Sequence, residues 1–173
     1  MIIWLVGLSS SGKTTIGKKI FKFWKSQDKA TVFIDGDEIR KIFSNKNNDN
    51  YNINGRKKNA ERIRDLCILL DKNDINAVVS VLSIFPEMLI WNRKNFKNYF
   101  EVFLNPTFET LLSRDVKGLY KSAIEKKTKN VVGIDIDFNP PKSPDLILNQ
   151  EGKFRSIENC VNEILIETGL KKK

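Results

Sequence analysis

The sequence predicts an α/β fold in which a parallel sheet of five strands is flanked by helices. Two observations predict it. Short apolar runs alternate along the chain with segments whose apolar residues recur at helical spacing, and a glycine-rich loop joins the first run to the first helical segment. The chain has 173 residues, 40% of them hydrophobic, which suffices for one domain with a substantial core and not for two. We therefore expect residues 1–173 to form a single domain.

The elements of the first half follow from these periods. The apolar run at 2–6 predicts a buried strand, and the residues from 13 to 26 carry apolar side chains at helical spacing. A β-branched run at 31–34 predicts the second strand, and a short helix around Ile39 follows. The asparagine-rich segment 44–54 has no period, which predicts a mobile loop.

The second half continues the alternation of strands and helices. Helical spacing recurs between residues 55 and 72, and the run at 77–82 is apolar enough for a central strand of a parallel sheet. The remaining predicted elements are a helix at 87–97, a strand at 99–104, a short helix from Pro106, a charged helix at 117–127, an irregular segment at 131–144, a strand at 145–148 and an amphipathic helix around 157–165.

The glycine-rich loop at residues 7–14 reads G-x-x-x-x-G-K-T, the pattern of a phosphate-binding loop, in its required place between a strand and a helix. Its glycines let backbone N–H groups point inward, and the helix N-terminus adds positive potential. Lys13 can reach the β- and γ-phosphates of a nucleotide and act in catalysis, and the Thr14 hydroxyl can hold Mg²⁺. The residues expected to contact the nucleotide here are Gly7, Ser9, Ser10, Ser11, Gly12, Lys13, Thr14 and Thr15.

Composition narrows the class of function. The net charge of +9 comes from scattered lysines without interleaved aromatic residues, which favours a solvated surface and a site for small polyanions over nucleic-acid binding. No apolar run reaches the length of a membrane span, and no signal-peptide pattern is visible. Cys67 and Cys160 lie in apolar helical patterns, typical of reduced thiols in a cytoplasmic protein. The chain has no histidine, so any general base must be a carboxylate.

Asp35 and Asp37 follow the second strand on a predicted turn. A carboxylate there can help to place Mg²⁺ or accept a proton from an acceptor hydroxyl; an acidic turn that only caps a helix is the alternative. Because ligands of such sheets bind beyond the carboxyl ends of the strands, we expect Gly7, Asp35, Ser83 and Asn105, which all lie at predicted strand ends, to be neighbours.

Arginines follow the acidic turn. Arg40 lies one helical turn after Asp37, and Arg56, Asn59 and Arg62 are spaced so that they share one helix face. Guanidinium groups in these positions suit an anionic acceptor, and a solvated basic face is the alternative.

A phosphate-binding loop alone does not separate a switch GTPase, an ATPase motor and a small-molecule kinase. A GTPase needs a guanine-reading N-K-x-D motif after a later strand. Asn45-Lys46 lies in the early loop instead, and Asn149-Gln150 lacks the lysine and the aspartate. The chain length, the Asp-Gly-Asp turn and the charged segment near 114–127 favour a small kinase with a lid over about residues 114–140.

At this point the chain resembles the adenylylsulfate kinases, a family of P-loop kinases. The phosphate-binding loop, the D-G-D-x-I-R segment at 35–40 and the R-K-x-N segment at 56–59 carry the resemblance. The segment at 114–121 reads R-D-V-K-G-L-Y-K and is similar to that family's lid sequence R-D-P-K-G-L-Y-K. Residues 129–135 resemble its K-N-F-T-G-I-D stretch, so the likeness extends over about residues 2–149.

The resemblance implies transfer of the γ-phosphate of ATP, with Mg²⁺, to the ribose 3′-hydroxyl of a nucleoside 5′-anhydride. It implies that Asp35 is the base and holds Mg²⁺ with Thr14, that Lys117 closes over the phosphates, and that Arg114 lies against the ATP base. It also implies a homodimer, which family members often form. The acceptor contacts that it implies are Asp37, Arg40, Arg56, Asn59 and Ser83.

Departures from the family pattern are concentrated on the acceptor side. Family members hold the acceptor adenine between two aromatic rings; Tyr51 can replace one, but Val131 stands where the other is expected. Loss of one ring face forfeits stacking of about 0.5–1.5 kcal/mol beyond burial. The family segment I-S-P-Y-R reads L-S-I-F-P at residues 82–86 and lacks its arginine, Gly55 replaces an acid, and Glu38 replaces an asparagine.

Donor-side motifs are kept while acceptor-side motifs differ, which favours the same reaction on another nucleotide. Related kinases that act on cytidine diphosphoramidate, in bacterial capsule modification, fit this pattern. The best hypothesis is therefore a cytidine diphosphoramidate kinase, with adenylylsulfate as the alternative acceptor. A non-catalytic nucleotide-binding regulator is the alternative from another class, and the retained lid lysine argues against it.

Overall fold

The computed structural model describes residues 1–43, 51–150 and 155–172. The predicted asparagine-rich loop at 44–54 therefore lies largely outside the described residues. The five predicted strands are present and form one parallel sheet of order β2-β3-β1-β4-β5. They are β1 (Ile2–Val6), β2 (Thr31–Asp35), β3 (Asn76–Val81), β4 (Tyr99–Pro106) and β5 (Leu146–Gln150). The predicted fold class is confirmed.

Seven helices accompany this sheet within the described part of the chain, close to their predicted positions. They are α1 (Lys13–Gln27), α2 (Gly36–Ile42), α3 (Ile53–Lys72), α4 (Pro86–Asn95), α5 (Phe108–Ser113), α6 (Leu119–Ile124) and α7 (Ile157–Glu167). None of the helices that the structure describes combines the length and the apolarity needed to cross a membrane.

The core lies on both faces of the sheet, because alternate residues of a strand point to opposite sides. Ile3 and Leu5 of β1 pack on one face with apolar residues of α1 and α7. Ile2, Trp4 and Val6 pack on the other face with α3 and α4. A strand buried on both faces explains why the first apolar run shows no alternation of polar residues.

The carboxyl edge of the sheet brings distant parts of the chain together. β1 ends at Val6, immediately before the phosphate-binding loop, and β2 ends at Asp35. β3 pairs with both strands in register, with Val81 opposite Val6 and Ser80 opposite Asp35. Since all the strands are parallel, the loop and the Asp-Gly-Asp turn lie at the same edge, which is where such sheets bind ligands.

Candidate active site

The phosphate-binding loop has the backbone shape that its glycines permit. A Cβ atom added at Gly7 would lie 2.8 Å from the Leu104 carbonyl oxygen of β4 and 2.8 Å from Ser11 Oγ. Gly12, the N-cap of α1, has φ +92°, and Ser10 is left-handed as well, with φ +62°. Glycine is therefore needed at position 7 for close approach and at position 12 for its backbone conformation.

Lys13 folds back onto this loop. Its ammonium donates hydrogen bonds to the Leu8 carbonyl at 2.6 Å and to Ser11 Oγ at 3.3 Å. Burial lowers the pKa of Lys13 to about 8, against the opposing effect of the carboxylates of Asp37 and Asp35. A buried ammonium held only by neutral acceptors is suited to receive an anionic ligand.

Asp35 joins the end of β2 to the start of α1. It is 7% exposed, and its Oδ2 accepts a hydrogen bond of 2.7 Å from the Thr14 hydroxyl. Its Oδ1 accepts the backbone N–H of Asp37 at 2.9 Å and so caps α2. The carboxylate and the hydroxyl are thus adjacent beside the phosphate-binding loop, as the sequence predicts, and Asp35 is also a helix cap.

This pair fits a Mg²⁺ ion that is bound mainly through substrate. Mg²⁺ prefers oxygen ligands, and proteins often hold it with one or two side chains plus nucleotide phosphates and water. Thr14 and Asp35 supply a hydroxyl and a carboxylate at contact distance. Among the described residues no group of three or more histidine, cysteine, aspartate or glutamate side chains assembles that could hold a metal ion.

A second cluster lies on the other side of the Asp-Gly-Asp turn, around the ring of Tyr51. The Arg40 guanidinium lies 4.8 Å from the ring centroid and the Arg56 guanidinium 5.9 Å from it, and Arg40 also pairs with Asp37. Arg56 donates to the carbonyls of Tyr51 and Asn130, each at 2.8 Å. Burial, with the nearby charge of Arg40, lowers the pKa of Arg56.

Two buried polar atoms in this cluster make no hydrogen bond within the described structure. Asn59 is 4% exposed and donates to the Gly36 carbonyl at 3.0 Å, but its Oδ1 accepts none. Arg40 Nε is likewise buried and donates to none. Buried polar groups are rarely left unpaired, so the two atoms indicate a place where a polar ligand completes the bonding.

Two other predicted acceptor-side positions, Arg62 and Ser83, make no described contact with the Tyr51 ring. Arg62 lies over the ring of Phe43, with 4.9 Å between the guanidinium carbon and the ring centroid. Ser83 is partly buried and lies two residues beyond the end of β3, at the carboxyl edge. The expectation that Asn105 would neighbour Asp35 is wrong, because its amide donates to Asn149 of β5, on the opposite side of the sheet from β2.

The segment after α5 contains the predicted lid residues. Arg114 ends α5, is partly buried and lies near enough to Cys160 of α7 to influence its pKa. Lys117 is exposed, just before α6. The carboxylate of Asp115 accepts backbone N–H groups of Leu119 at 2.9 Å and Tyr120 at 2.7 Å, which fixes the first turn of α6.

Val131 lies in an apolar group under this segment, which we call the lid cluster: Leu111, Tyr120, Ala123 and Val131, with Leu8 and Leu119 packed against them. The Val131 side chain is only 4% exposed. The position at which the family carries a ring is therefore occupied here by a side chain that packs inward. The neighbouring Asn130 carbonyl, which Arg56 contacts, is the part of this stretch that reaches the Tyr51 cluster.

Sequence reasoning missed two contacts of this site. Tyr120 was placed within the lid motif but not next to the phosphate-binding loop, whose Ser9 carbonyl accepts its hydroxyl at 3.0 Å. The carbonyl of Asn130 gave no signal at all, because backbone contacts leave no side-chain pattern. The Tyr120 contact left no signal in the sequence either, because the burial that makes its hydroxyl need a partner is visible only in the structure.

Comparisons with known proteins agree with this geometry. The model of the adenylylsulphate kinase family matches residues 1–149. The cytidine diphosphoramidate kinase of Campylobacter jejuni is 38% identical over 169 residues, 98% of this chain and 96% of that protein. The adenylyl-sulfate kinase of Gloeothece citriformis is 32% identical over 163 residues, 94% and 90% of the two chains. The structure of the Mycobacterium tuberculosis APS kinase in complex with AMPPNP and APS has a TM-score of 0.80 at 26% identity, covering 97% and 96%.

Proposed function

This chain belongs to the adenylylsulphate kinase family and is a phosphotransferase, and we propose that it transfers the γ-phosphate of ATP to the ribose 3′-hydroxyl of cytidine diphosphoramidate. The observation that carries the proposal is the Asp-Gly-Asp turn. Asp35 contacts Thr14 of the phosphate-binding loop, and Asp37 pairs with Arg40 of the Tyr51 cluster. One short turn therefore joins a nucleotide site to an acceptor site.

On the donor side, the phosphates of ATP lie in the loop formed by residues 7–14, against its inward N–H groups and the N-terminus of α1. Lys13 exchanges its contacts with Leu8 and Ser11 for the β- and γ-phosphates. We propose that the exposed Lys117 closes over the same phosphates and that Arg114 lies against the adenine. The residues proposed to bind ATP are Gly7, Ser9, Ser10, Ser11, Gly12, Lys13, Thr14, Thr15 and Arg114.

Thr14 and Asp35 would hold Mg²⁺, which supplies neutralisation of the phosphate charge in the transition state. The chain's own contribution to the reaction is positioning. Asp35 orients the 3′-hydroxyl and accepts its proton as the oxygen bonds to the γ-phosphorus. The bond from that phosphorus to the bridging oxygen of ADP breaks, and ADP leaves with both of the remaining phosphates.

On the acceptor side, the exposed ring of Tyr51 offers a stacking face for the base, and Arg40 and Arg56 neutralise the anionic 5′ group. The unpaired oxygen of Asn59 and the unpaired Nε of Arg40 complete their bonding with the acceptor. We propose that Ser83, two residues beyond the end of β3, and the stretch around Val131 also border the acceptor. The residues proposed to bind the acceptor are Asp37, Arg40, Tyr51, Arg56, Asn59, Ser83, Lys117 and Val131.

Two observations favour the cytidine compound. Val131 packs into the lid cluster, so of the two positions expected to carry a stacking ring only that of Tyr51 offers one to the base. Stacking on one ring suits a smaller pyrimidine base. The similarity to the Campylobacter jejuni enzyme, whose name gives cytidine diphosphoramidate as its substrate, extends over nearly the whole chain. Adenylylsulfate is the second candidate, favoured by the adenylyl-sulfate kinases that are also about one-third identical.

The test is ADP release with ATP and Mg²⁺, measured in parallel with cytidine diphosphoramidate and adenylylsulfate as acceptors. We expect kcat/KM to be at least tenfold higher for the cytidine compound. A tenfold preference for adenylylsulfate would instead assign the chain to sulfate activation, with the acceptor-side substitutions as tolerated changes.

Asp35→Asn separates an enzyme from a nucleotide-binding regulator. An enzyme loses turnover because the amide neither accepts the proton nor supplies a carboxylate to Mg²⁺, while ATP still binds to the loop. We expect kcat to fall at least a hundredfold with little change in nucleotide affinity. If the wild-type protein transfers phosphate to neither acceptor although it binds ATP, the regulator hypothesis replaces this one.

We further propose that the chain acts as a single kinase domain with a lid over about residues 114–140, and as a homodimer in the cytoplasm. The free and buried thiols of Cys67 and Cys160 support a reducing compartment. The exposed apolar side chains of Ile42, Phe43 and Ile53, at the adjoining ends of α2 and α3, support a protein interface. Sedimentation equilibrium of wild type and an Ile42→Lys variant tests the dimer.

A further inference from the structure

The lid cluster contacts the phosphate-binding loop at two points that the proposed chemistry does not use. The Leu8 side chain packs against Tyr120 and its neighbours, and an added Cβ at Gly133 would lie 3.5 Å from Leu8 Cδ2. The Tyr120 hydroxyl donates to the Ser9 carbonyl at 3.0 Å. Tyr120 is fully buried, and Phe108 packs edge-on against its ring with centroids 5.6 Å apart.

The contact to Ser9 determines the direction of the next amide. A peptide unit is planar and trans, so the carbonyl of Ser9 and the N–H of Ser10 point in opposite directions. With the carbonyl held toward Tyr120, the Ser10 N–H points away from α6. No group in the described structure accepts that N–H, and Ser10 is in the left-handed conformation, with φ +62°, which a serine adopts only when its surroundings hold it.

We infer that Tyr120 is a positioning residue for phosphate binding, because its hydroxyl holds the Ser9–Ser10 peptide with the Ser10 N–H facing the nucleotide phosphates. The inference rests on the proposed function in that nucleotide phosphates occupy this loop. Burial raises the pKa of Tyr120 to about 12, so at neutral pH the hydroxyl keeps its proton and remains a hydrogen-bond donor. The lid segment then contributes to nucleotide affinity even without moving.

Tyr120→Phe is the direct test, since it keeps the ring in the lid cluster and removes only the hydroxyl. Tyr99→Phe is the matched control, because Tyr99 also donates from a partly buried hydroxyl, to Glu101 at 2.8 Å, at the opposite, amino end of the sheet. Inorganic tripolyphosphate, which needs the loop but no base site, and adenosine, which needs the base site but not the loop, are titrated into each full-length protein by calorimetry.

We expect Tyr120→Phe to weaken tripolyphosphate binding by about fivefold to tenfold, the effect of one lost hydrogen bond, with adenosine binding unchanged. Tyr99→Phe should bind both ligands as wild type does. In turnover, KM for ATP should rise while KM for the acceptor changes less than twofold. Unchanged tripolyphosphate binding in Tyr120→Phe, or an equal loss for adenosine, overturns the inference.

The outcomes distinguish a failure of this inference from a failure of the proposed function. If the wild-type protein binds neither tripolyphosphate nor ATP, the proposed function fails. If the wild-type protein binds them and the Tyr120→Phe variant binds them equally well, only the positioning role is refuted. If Tyr120→Phe does not fold, Asp115→Ala takes its place, because it removes the carboxylate that accepts the N–H groups of Leu119 and Tyr120 and so loosens the first turn of α6 without entering the cluster. Wild-type tripolyphosphate affinity in that variant overturns the inference.

Discussion

Lys13 is the residue on which pH acts most directly in this site. Burial lowers its pKa to about 8, so the free protein loses the ammonium charge above that pH. A bound polyphosphate favours the charged form and raises the pKa again, so binding above pH 8 requires uptake of one proton. The charge on which the donor site depends is therefore fully present in the free protein only below that pH.

We predict that the affinity for ADP falls above pH 8, by up to tenfold for each pH unit, until the pKa of the complex is reached. Calorimetry between pH 6.5 and 9.5, in buffers of different ionisation enthalpy, should detect the proton taken up. Lys13→Met is the control and should bind weakly with no such slope. A wild-type affinity that stays flat from pH 7 to 9.5 would contradict a lowered pKa at Lys13.

At the scale of the element, Asp35 combines two functions that substitutions can separate. Its Oδ2 faces Thr14, and its Oδ1 accepts the Asp37 N–H as the cap of α2. Asparagine caps a helix about as well as aspartate does, whereas alanine costs about 0.5–2 kcal/mol. We predict that Asp35→Ala lowers the free energy of unfolding by about 1 kcal/mol relative to Asp35→Asn, while both variants lose turnover. Urea denaturation of the two proteins measures the difference, and equal stabilities would mean that the cap contributes nothing.

The junction of β4, α4 and β5 is held by a charge network away from the active site. Arg93 of α4 binds both carboxylate oxygens of Asp145, at 2.9 and 2.8 Å, and Glu101 of β4 accepts the Tyr99 hydroxyl at 2.8 Å. Glu101 is 2% exposed, and burial raises its pKa above the usual value, more than the Tyr99 hydroxyl and Arg93 lower it.

This network predicts a pH dependence of stability. Between the unfolded pKa of Glu101 and its higher folded pKa, the native state binds more protons than the unfolded state, so stability falls as pH rises through this window. Gln at this position can still accept the Tyr99 hydroxyl and does not titrate. We predict that the Tm of wild type falls relative to that of Glu101→Gln as the pH rises from 4.5, the ordinary pKa of a glutamate, through the raised pKa of the folded state. Parallel Tm curves for the two proteins would refute the raised pKa.

Element boundaries show what the sequence could and could not specify. All five strands were predictable because each contains a short apolar run, although only the inner strand β1 is buried along its whole length and Ile147 of the edge strand β5 is 48% exposed. Helix α6 is shorter than the predicted 117–127, because Gly118 and Lys126 are left-handed, with φ +64° and +58°, and interrupt the helix at both ends. The charged pattern of that segment continues across both residues, so periodicity alone does not reveal the breaks.

At the scale of the whole molecule, topology explains how much of the site was predictable. Strand ends carry Asp35 and the phosphate-binding loop to one edge, so their contact followed from the predicted parallel sheet. The contacts of Arg56 with the Asn130 carbonyl and of Tyr120 with the Ser9 carbonyl join residues 74 and 111 positions apart, through backbone atoms. Such pairings depend on how the segment after α5 folds over the loop, which no local pattern encodes.

The net charge of the chain leads to a prediction about salt. A charge of +9 spread over 173 residues, without a basic stripe, gives the protein a diffuse positive field. Such a field attracts small polyanions from solution and is screened over about 10 Å at 0.1 M salt. We predict that the Kd for ATP rises severalfold between about 20 and 200 mM NaCl, while that for uncharged adenosine stays constant. Single-stranded DNA should not compete with ATP at the higher salt, because the scattered lysines are not interleaved with aromatic residues along the sequence. Competition there would show that the lysines form a nucleic-acid surface, and it would remove the reason for assigning them to small anions.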